Sequence, residues 1–106
     1  MTRWRNISRE DAKLMVGPGW SSLIDRIYDK LPKRTLVLQV KEKFGGLRFY
    51  IGYGSKRTFD LIDKAEHDSY TICEVCGEPG KLREDLGWIL TLCDKHYENH
   101  KKGGDS

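Results

Sequence analysis

Apolar residues recur at helical spacing through Trp20, Leu23, Ile24, Ile27 and Leu31, which predicts a helix over 20–31 with one inward stripe, closed by Pro32. Trp20 reads as the core anchor of that stripe. Upstream, Ser8 with Asp11 three residues later resembles a capping box, so a shorter helix is expected to run to about Val16 and stop at Gly17-Pro18-Gly19. From Thr35 the period changes to two. Leu36, Leu38 and Val40 fall on one face, and Val37, Gln39, Lys41 and Lys43 on the other. Gly45-Gly46 is a hairpin signal, followed by a returning strand from Leu47 to Tyr53.

With those two glycines as the turn, Phe44 faces Leu47, Lys43 faces Arg48, Lys41 faces Tyr50 and Val40 faces Ile51. The core face then holds Val40, Phe49, Ile51 and Tyr53, and the opposite face carries Lys41, Lys43, Arg48 and Tyr50. Glu42 falls on the apolar face beside Phe49. A carboxylate there requires an arginine, backbone donors or an open rim. A third helix is expected over 57–69, with Phe59, Ile62, Ala65 and Ser69 inward, covering the hairpin.

Composition adds bounds. The chain has 106 residues, 38% hydrophobic and 33% charged, which places it in the soluble globular class. One core is expected over 1–70, a metal-held module over 71–102 packed on it, and a flexible tail over 103–106. Runs such as Leu36-Val37-Leu38 are far short of the roughly 20 apolar residues of a membrane helix. The opening Met1-Thr2-Arg3-Trp4-Arg5 offers no apolar stretch for secretion, so a cytoplasmic protein with reduced thiols is the expectation. Residues 1–54 carry 11 Lys and Arg against 5 Asp and Glu, whereas residues 55–106 carry 8 against 11, so the positive charge lies in the first half.

The most specific chemistry is Cys73-x-x-Cys76-Gly77, sixteen intervening residues, then Cys93-x-x-His96. Gly77 supplies a permissive backbone just after the second sulfur. Asp94 to Glu98 reads as the opening of a helix, where positions i and i+3 share a face and can meet one ion. Short strands over 82–85 and 88–92 around Gly87 complete a knuckle, hairpin and helix of treble-clef type. Three thiolates and one imidazole fill a tetrahedral shell. One structural Zn2+ on Cys73, Cys76, Cys93 and His96 is therefore expected, with His100 the poorer candidate because of its spacing.

Four stretches carry a resemblance: Gln39-Val-Lys-Glu-Lys-Phe-Gly-Gly-Leu-Arg-Phe-Tyr50; Ala65-Glu66 with Ser69; Cys73-Glu-x-Cys76-Gly-x-Pro79-Gly80; and Thr91-Leu-Cys93-x-x-His96. Together they resemble a family of small zinc-finger proteins from bacteriophages and bacterial genomes, over about residues 19–96. The resemblance implies a zinc module with a signature hairpin in a phage or prophage setting, and hence the bacterial host cytoplasm; it names no partner.

The fold class expected is α+β. The leading functional expectation is a non-enzymatic zinc module whose basic hairpin face, Lys41, Lys43, Arg48 and Tyr50, meets nucleic acid, with Arg3, Arg5, Arg9, Lys33 and Arg34 extending the footprint. A solvated face whose charges guard against edge aggregation explains the same residues. A second hypothesis is a phage-type effector that binds and inhibits a host protein. A third is a metal-dependent nuclease, for which Asp25 with Gln39-Val40-Lys41, and Asp63 with His67, are the faint signals. No membrane partner is expected.

Overall fold

The structure is a computed structural model and describes residues 6–103. In chain order it contains α1 (Arg9–Leu14), a 3-10 turn (Pro18–Trp20), α2 (Ser21–Lys30), β1 (Val37–Lys43), β2 (Gly46–Ile51), α3 (Lys56–Ser69), β3 (Lys81–Arg83), β4 (Leu90–Leu92) and α4 (Asp94–Gly103). Helices and two small antiparallel sheets, β1-β2 and β3-β4, make this an α+β fold. The tail over 104–106 lies outside the described residues, while Gly103 ends α4. None of the described helices is long and apolar enough to cross a membrane.

Ser8 caps α1 as the pattern predicts, its Oγ accepting from the Asp11 amide at 3.1 Å. The helix then ends at Leu14 rather than Val16. Trp20 closes the 3-10 turn instead of opening α2, and the stripe it begins is fully buried at Trp20, Leu23, Ile24 and Ile27. Burial of each such side chain stabilises the fold by roughly 1.5–3 kcal/mol. The Trp20 indole also donates to the Ile72 carbonyl at 2.8 Å, tying α2 to the start of the C-terminal third.

The hairpin register differs from the expectation. The two turn residues are Phe44 and Gly45, at φ 54° and 83°, and Lys43 pairs with Gly46. A tight two-residue turn of this twist requires positive φ at both central positions, which Gly45 supplies freely and Phe44 under strain. Gly46 stays in β2 for a different reason: a β-carbon on it would lie 2.4 Å from the Tyr70 ring. The pairs are therefore Lys41 with Arg48, Glu42 with Leu47, Val40 with Phe49 and Gln39 with Tyr50, not Lys43 with Arg48, Lys41 with Tyr50 or Val40 with Ile51. Each of these partners has moved by two residues, so these side chains keep their faces.

An irregularity between Val37 and Gln39 does change a face. Val37 pairs with Ile51 and is buried, while Leu38 is turned outward at 39% exposure, reversing the expected alternation at the start of β1. Tyr53, expected in the core, lies beyond the end of β2 and is 86% exposed. The apolar face is closed by α2, whose Tyr28 ring meets Phe49 edge-on with centroids 5.6 Å apart.

Helix α3 starts at the Ser55 cap, and its inward stripe is Thr58, Ile62, Ala65 and Ser69. Phe59, expected inside, is 43% exposed, because the cap sets the helix phase so that Thr58 takes the inward position. Besides packing, α3 satisfies the free edge of the hairpin. Ser69 Oγ accepts from the Leu47 amide at 2.9 Å, and Glu66 Oε2 accepts from the Phe49 amide at 2.8 Å. One helical turn thus blunts the outer edge of β2 against pairing with another chain.

Candidate metal centre

Cys73 and Cys76 sit on a tight turn in which the Gly77 amide donates to the Cys73 carbonyl at 2.9 Å. Gly77 takes φ 85°, a conformation that side chains rarely adopt. The turn is closed behind by the Cys73 amide on the Glu78 carbonyl at 2.8 Å and by a bridge between Ile72 and Pro79. Cys93 follows β4 directly, and His96 lies in the first turn of α4, three residues on, so both reach the same point. Strands β3 and β4, shorter than expected, pair Leu82 with Thr91, and Gly87 turns the connection at φ 88°.

The three Sγ atoms and one ring nitrogen of His96 all lie within 4.8 Å of one another. Cys76 Sγ is 3.8 Å from Cys93 Sγ, and His96 Nδ1 is 3.7 Å from Cys73 Sγ and 3.2 Å from Cys93 Sγ. A tetrahedron whose sulfurs stand about 2.3 Å from its centre has edges of about 3.8 Å. The sulfurs are too far apart for a disulfide, and all three cysteines are free. These four side chains can hold one metal ion. His100 is not among them, and no other such cluster of three or more His, Cys, Asp or Glu occurs among the described residues.

Local electrostatics favour the thiolate at Cys73. Burial pushes the Cys73 thiol up, but the amides of Cys93, Cys76 and Val75 more than offset it and bring the group down to about 7. The His96 amide points at Cys93 Sγ from 3.4 Å. Arg83 on β3 clamps the helix that carries His96: it donates to the Leu92 carbonyl at 3.1 Å and to Asp94 at 2.8 Å, and its guanidinium lies 4.1 Å from the Tyr97 ring centroid. Arg83 is not among the residues expected from the sequence, where an arginine within the short strand of 82–85 is the one visible signal.

The metal turn is embedded in the rest of the chain. The Gly19 amide donates to the Glu74 carbonyl at 2.8 Å, and a β-carbon on Gly19 would fall 2.0 Å from the Cys73 carbonyl oxygen. A β-carbon on Gly17 would likewise fall 2.2 Å from the Glu74 carbonyl oxygen. Gly17-Pro18-Gly19 is thus a seat for the metal turn as well as a helix stop. Glu74 also accepts from the Thr91 amide at 3.0 Å; burial pushes its carboxyl up and that amide pulls it back. The buried Thr91 hydroxyl donates to the Gly45 carbonyl at 2.6 Å, joining β4 to the hairpin turn.

On the hairpin, Lys41, Lys43, Arg48 and Tyr50 share the face opposite Val40 and Phe49. Lys43 and Tyr50 are exposed, Tyr50 at 41%, and Lys41 and Arg48 are half-buried. Lys41 Nζ stands 6.0 Å from the Tyr50 ring centroid. Among the described residues, none of the three cations takes part in an ion pair. The like-charge pair is Lys41 with Arg48, directly opposed. Arg48 also faces Glu66, whose carboxyl is pushed up by burial and drawn down by the Phe49 amide and Arg48.

Other candidates have different occupations. Arg3 and Arg5 lie outside the described residues. Arg9 is held by Asp25 at 2.9 Å and Asp29 at 3.0 Å, so it does not extend the basic face; Lys33 and Arg34 are exposed before β1. Asp25 is shared between Arg9 and Lys13, and Asp63 and His67 stand exposed on α3. Glu42 finds a backbone donor, as its position requires: its Oε2 accepts from the Gly45 amide at 2.7 Å.

No protein-family model, curated protein or solved structure matches this chain, so the likeness to phage and bacterial zinc-finger proteins stands on the quoted motifs alone.

Proposed function

We propose that this protein is a non-enzymatic binding module of treble-clef type in which Cys73, Cys76, Cys93 and His96 hold one structural zinc ion and the hairpin face of Lys41, Lys43, Arg48 and Tyr50 meets nucleic acid. Zinc is the ion that suits three thiolates and an imidazole with tetrahedral edges in the reduced cytoplasm. Four protein ligands complete its shell, which leaves no position for an activated water. The observation that carries the nucleic-acid reading is the directly opposed Lys41 and Arg48, with Lys43 beside them, on a face where none of the three has an ion-pair partner among the described residues. Opposed like charges destabilise a hairpin, and a row of phosphates over them turns that cost into attraction.

Titrating labelled oligonucleotides at several salt concentrations tests it. Affinity is expected to fall steeply as salt rises, with a slope reduced by about one per lysine or arginine replaced by glutamine. Absence of binding at low salt would remove the proposal.

A second reading, a phage-type effector that binds a host protein, is favoured by the exposed apolar side chains of the C-terminal third, Val75, Leu82 and Trp88. A protein partner would survive nuclease treatment of the lysate from which it is captured.

A further inference from the structure

Phe44 stands at the hairpin tip with φ 54° and is 62% exposed. This turn is ordinarily built from Asn, Asp or Gly, so a bulky aromatic there strains the backbone. Its ring is not buried in return. Lys43 Nζ lies 5.6 Å from that ring, so the aromatic adjoins the basic face.

A second exposed ring lies at the same end. A β-carbon on Gly45 would fall 3.2 Å from Ile89 Cγ2, so the backbone segments that carry Phe44 and Trp88 meet at the hairpin turn. Trp88 is 71% exposed. It borders a cleft of about 140 Å³ shared with Glu42, Ile89 and Leu90. Glu42 alternates with Lys41 and Lys43 along β1 and so occupies the other face. Positive charge therefore lies on one face of the hairpin and a carboxylate on the other.

That polarity orients a polyanion. Phosphates follow Lys43, Lys41 and Arg48 and are repelled from the Glu42 side, so the groups presented to Phe44 and Trp88 are the flat, uncharged bases. In a duplex the bases are stacked on one another and their faces are not free; in a single strand they are. We infer that the hairpin tip is a stacking site for unpaired bases, Phe44 and Trp88 being the platforms, and that the ligand class is single-stranded nucleic acid. This rests on the nucleic-acid reading of the basic face and narrows it.

The test compares single-stranded RNA, single-stranded DNA and a duplex of equal length against the zinc-loaded full chain. Single strands are expected to bind at least about tenfold tighter than duplex, with RNA and DNA separated by their own arms of the experiment. Phe44→Ala and Trp88→Ala should each weaken single-strand binding roughly tenfold with the salt slope unchanged, since stacking involves no phosphate. Trp88→Phe should keep most of the affinity and abolish the quenching of tryptophan fluorescence on binding. Phe44→Asn provides a readout of opposite signs: it relieves the turn and should raise the melting temperature while lowering affinity. Duplex binding equal to single-strand binding, or ring variants that bind like the parent, would overturn the stacking site and leave phosphate binding standing. Failure of every nucleic acid to bind at low salt would instead remove the underlying reading, and this inference with it.

Discussion

Thr91 donates its buried hydroxyl to the carbonyl of Gly45 at 2.6 Å, so the strand that leads into Cys93 is fastened to the turn of the basic hairpin. Order at the candidate metal centre and order in the hairpin are therefore expected to be coupled. Thr91→Val keeps the shape and removes the hydrogen bond, leaving a buried carbonyl unpaired. A loss of about 1–3 kcal/mol is expected in denaturant unfolding, together with faster amide exchange at the hairpin tip. Unchanged exchange there would show that the two parts are independent.

Elemental analysis of the purified chain should find one zinc per molecule, and Cys73→Ser or Cys93→Ser should abolish it. Structural zinc in small fingers contributes apparent binding energies of about 10–16 kcal/mol at neutral pH. Exhaustive chelation is thus expected to unfold the C-terminal third and, through Thr91 and the Trp20 bond to Ile72, to broaden hairpin and α2 resonances. Material that stays fully folded without metal would contradict the assignment.

Gly19→Ala places a methyl group 2.0 Å from the Cys73 carbonyl oxygen and 2.6 Å from the Gly77 nitrogen, both backbone atoms of the metal turn. Overpacking of this kind costs about 1–3 kcal/mol or more. Zinc affinity should fall along with stability, because the turn that aligns Cys73 and Cys76 must shift. Gly87→Ala, which meets no atom within 4 Å, isolates the cost of positive φ alone and should leave zinc affinity unchanged.

Glu66→Ala removes the acceptor of the Phe49 amide and exposes part of the β2 edge, so a loss of about 1–3 kcal/mol and a greater tendency to aggregate are expected. Glu66→Gln keeps an acceptor oxygen and should restore most of the stability. Equal losses for both variants would point to the charge rather than the hydrogen bond.

The Asp68 carboxyl is held below its ordinary value of 3.8 by hydrogen bonds from Lys64 and Arg26, joining α3 to α2. A group depressed on folding binds its proton more readily when unfolded, so its contribution is fully present above the unfolded pKa and is lost as pH falls through the folded one. Acid unfolding of Asp68→Asn should therefore show a shallower stability loss below about pH 4 than the parent chain. Identical acid limbs would exclude the pair as a source of stability.

The metal ligands were legible because their information is local: two pairs of ligand residues, each three apart, report a turn and a helix start whatever surrounds them. The Trp20 to Ile27 stripe was legible for the same reason, since a helix repeats every 3.6 residues regardless of its partner. Hairpin faces were also readable, because a slip of two residues preserves alternation. The register itself was not. Two adjacent glycines satisfy either turn, and the choice fell to the Tyr70 ring over Gly46 and to the Leu82 and Ile89 side chains against Gly45, all distant in sequence.

What the chain determined by itself was the set of periodicities, the cap at Ser8, the ligand spacing and the segregation of positive charge to one strand pair, all consequences of covalent geometry over a few residues. What only the tertiary structure decided was where Leu38 and Val37 point, that α3 supplies acceptors to the β2 edge, and that Gly17 and Gly19 seat the metal turn. It also decided that the backbone segments carrying Phe44 and Trp88 meet at the hairpin turn. These depend on close approach between segments tens of residues apart, where a single carbonyl or ring sets the outcome and no local pattern records it.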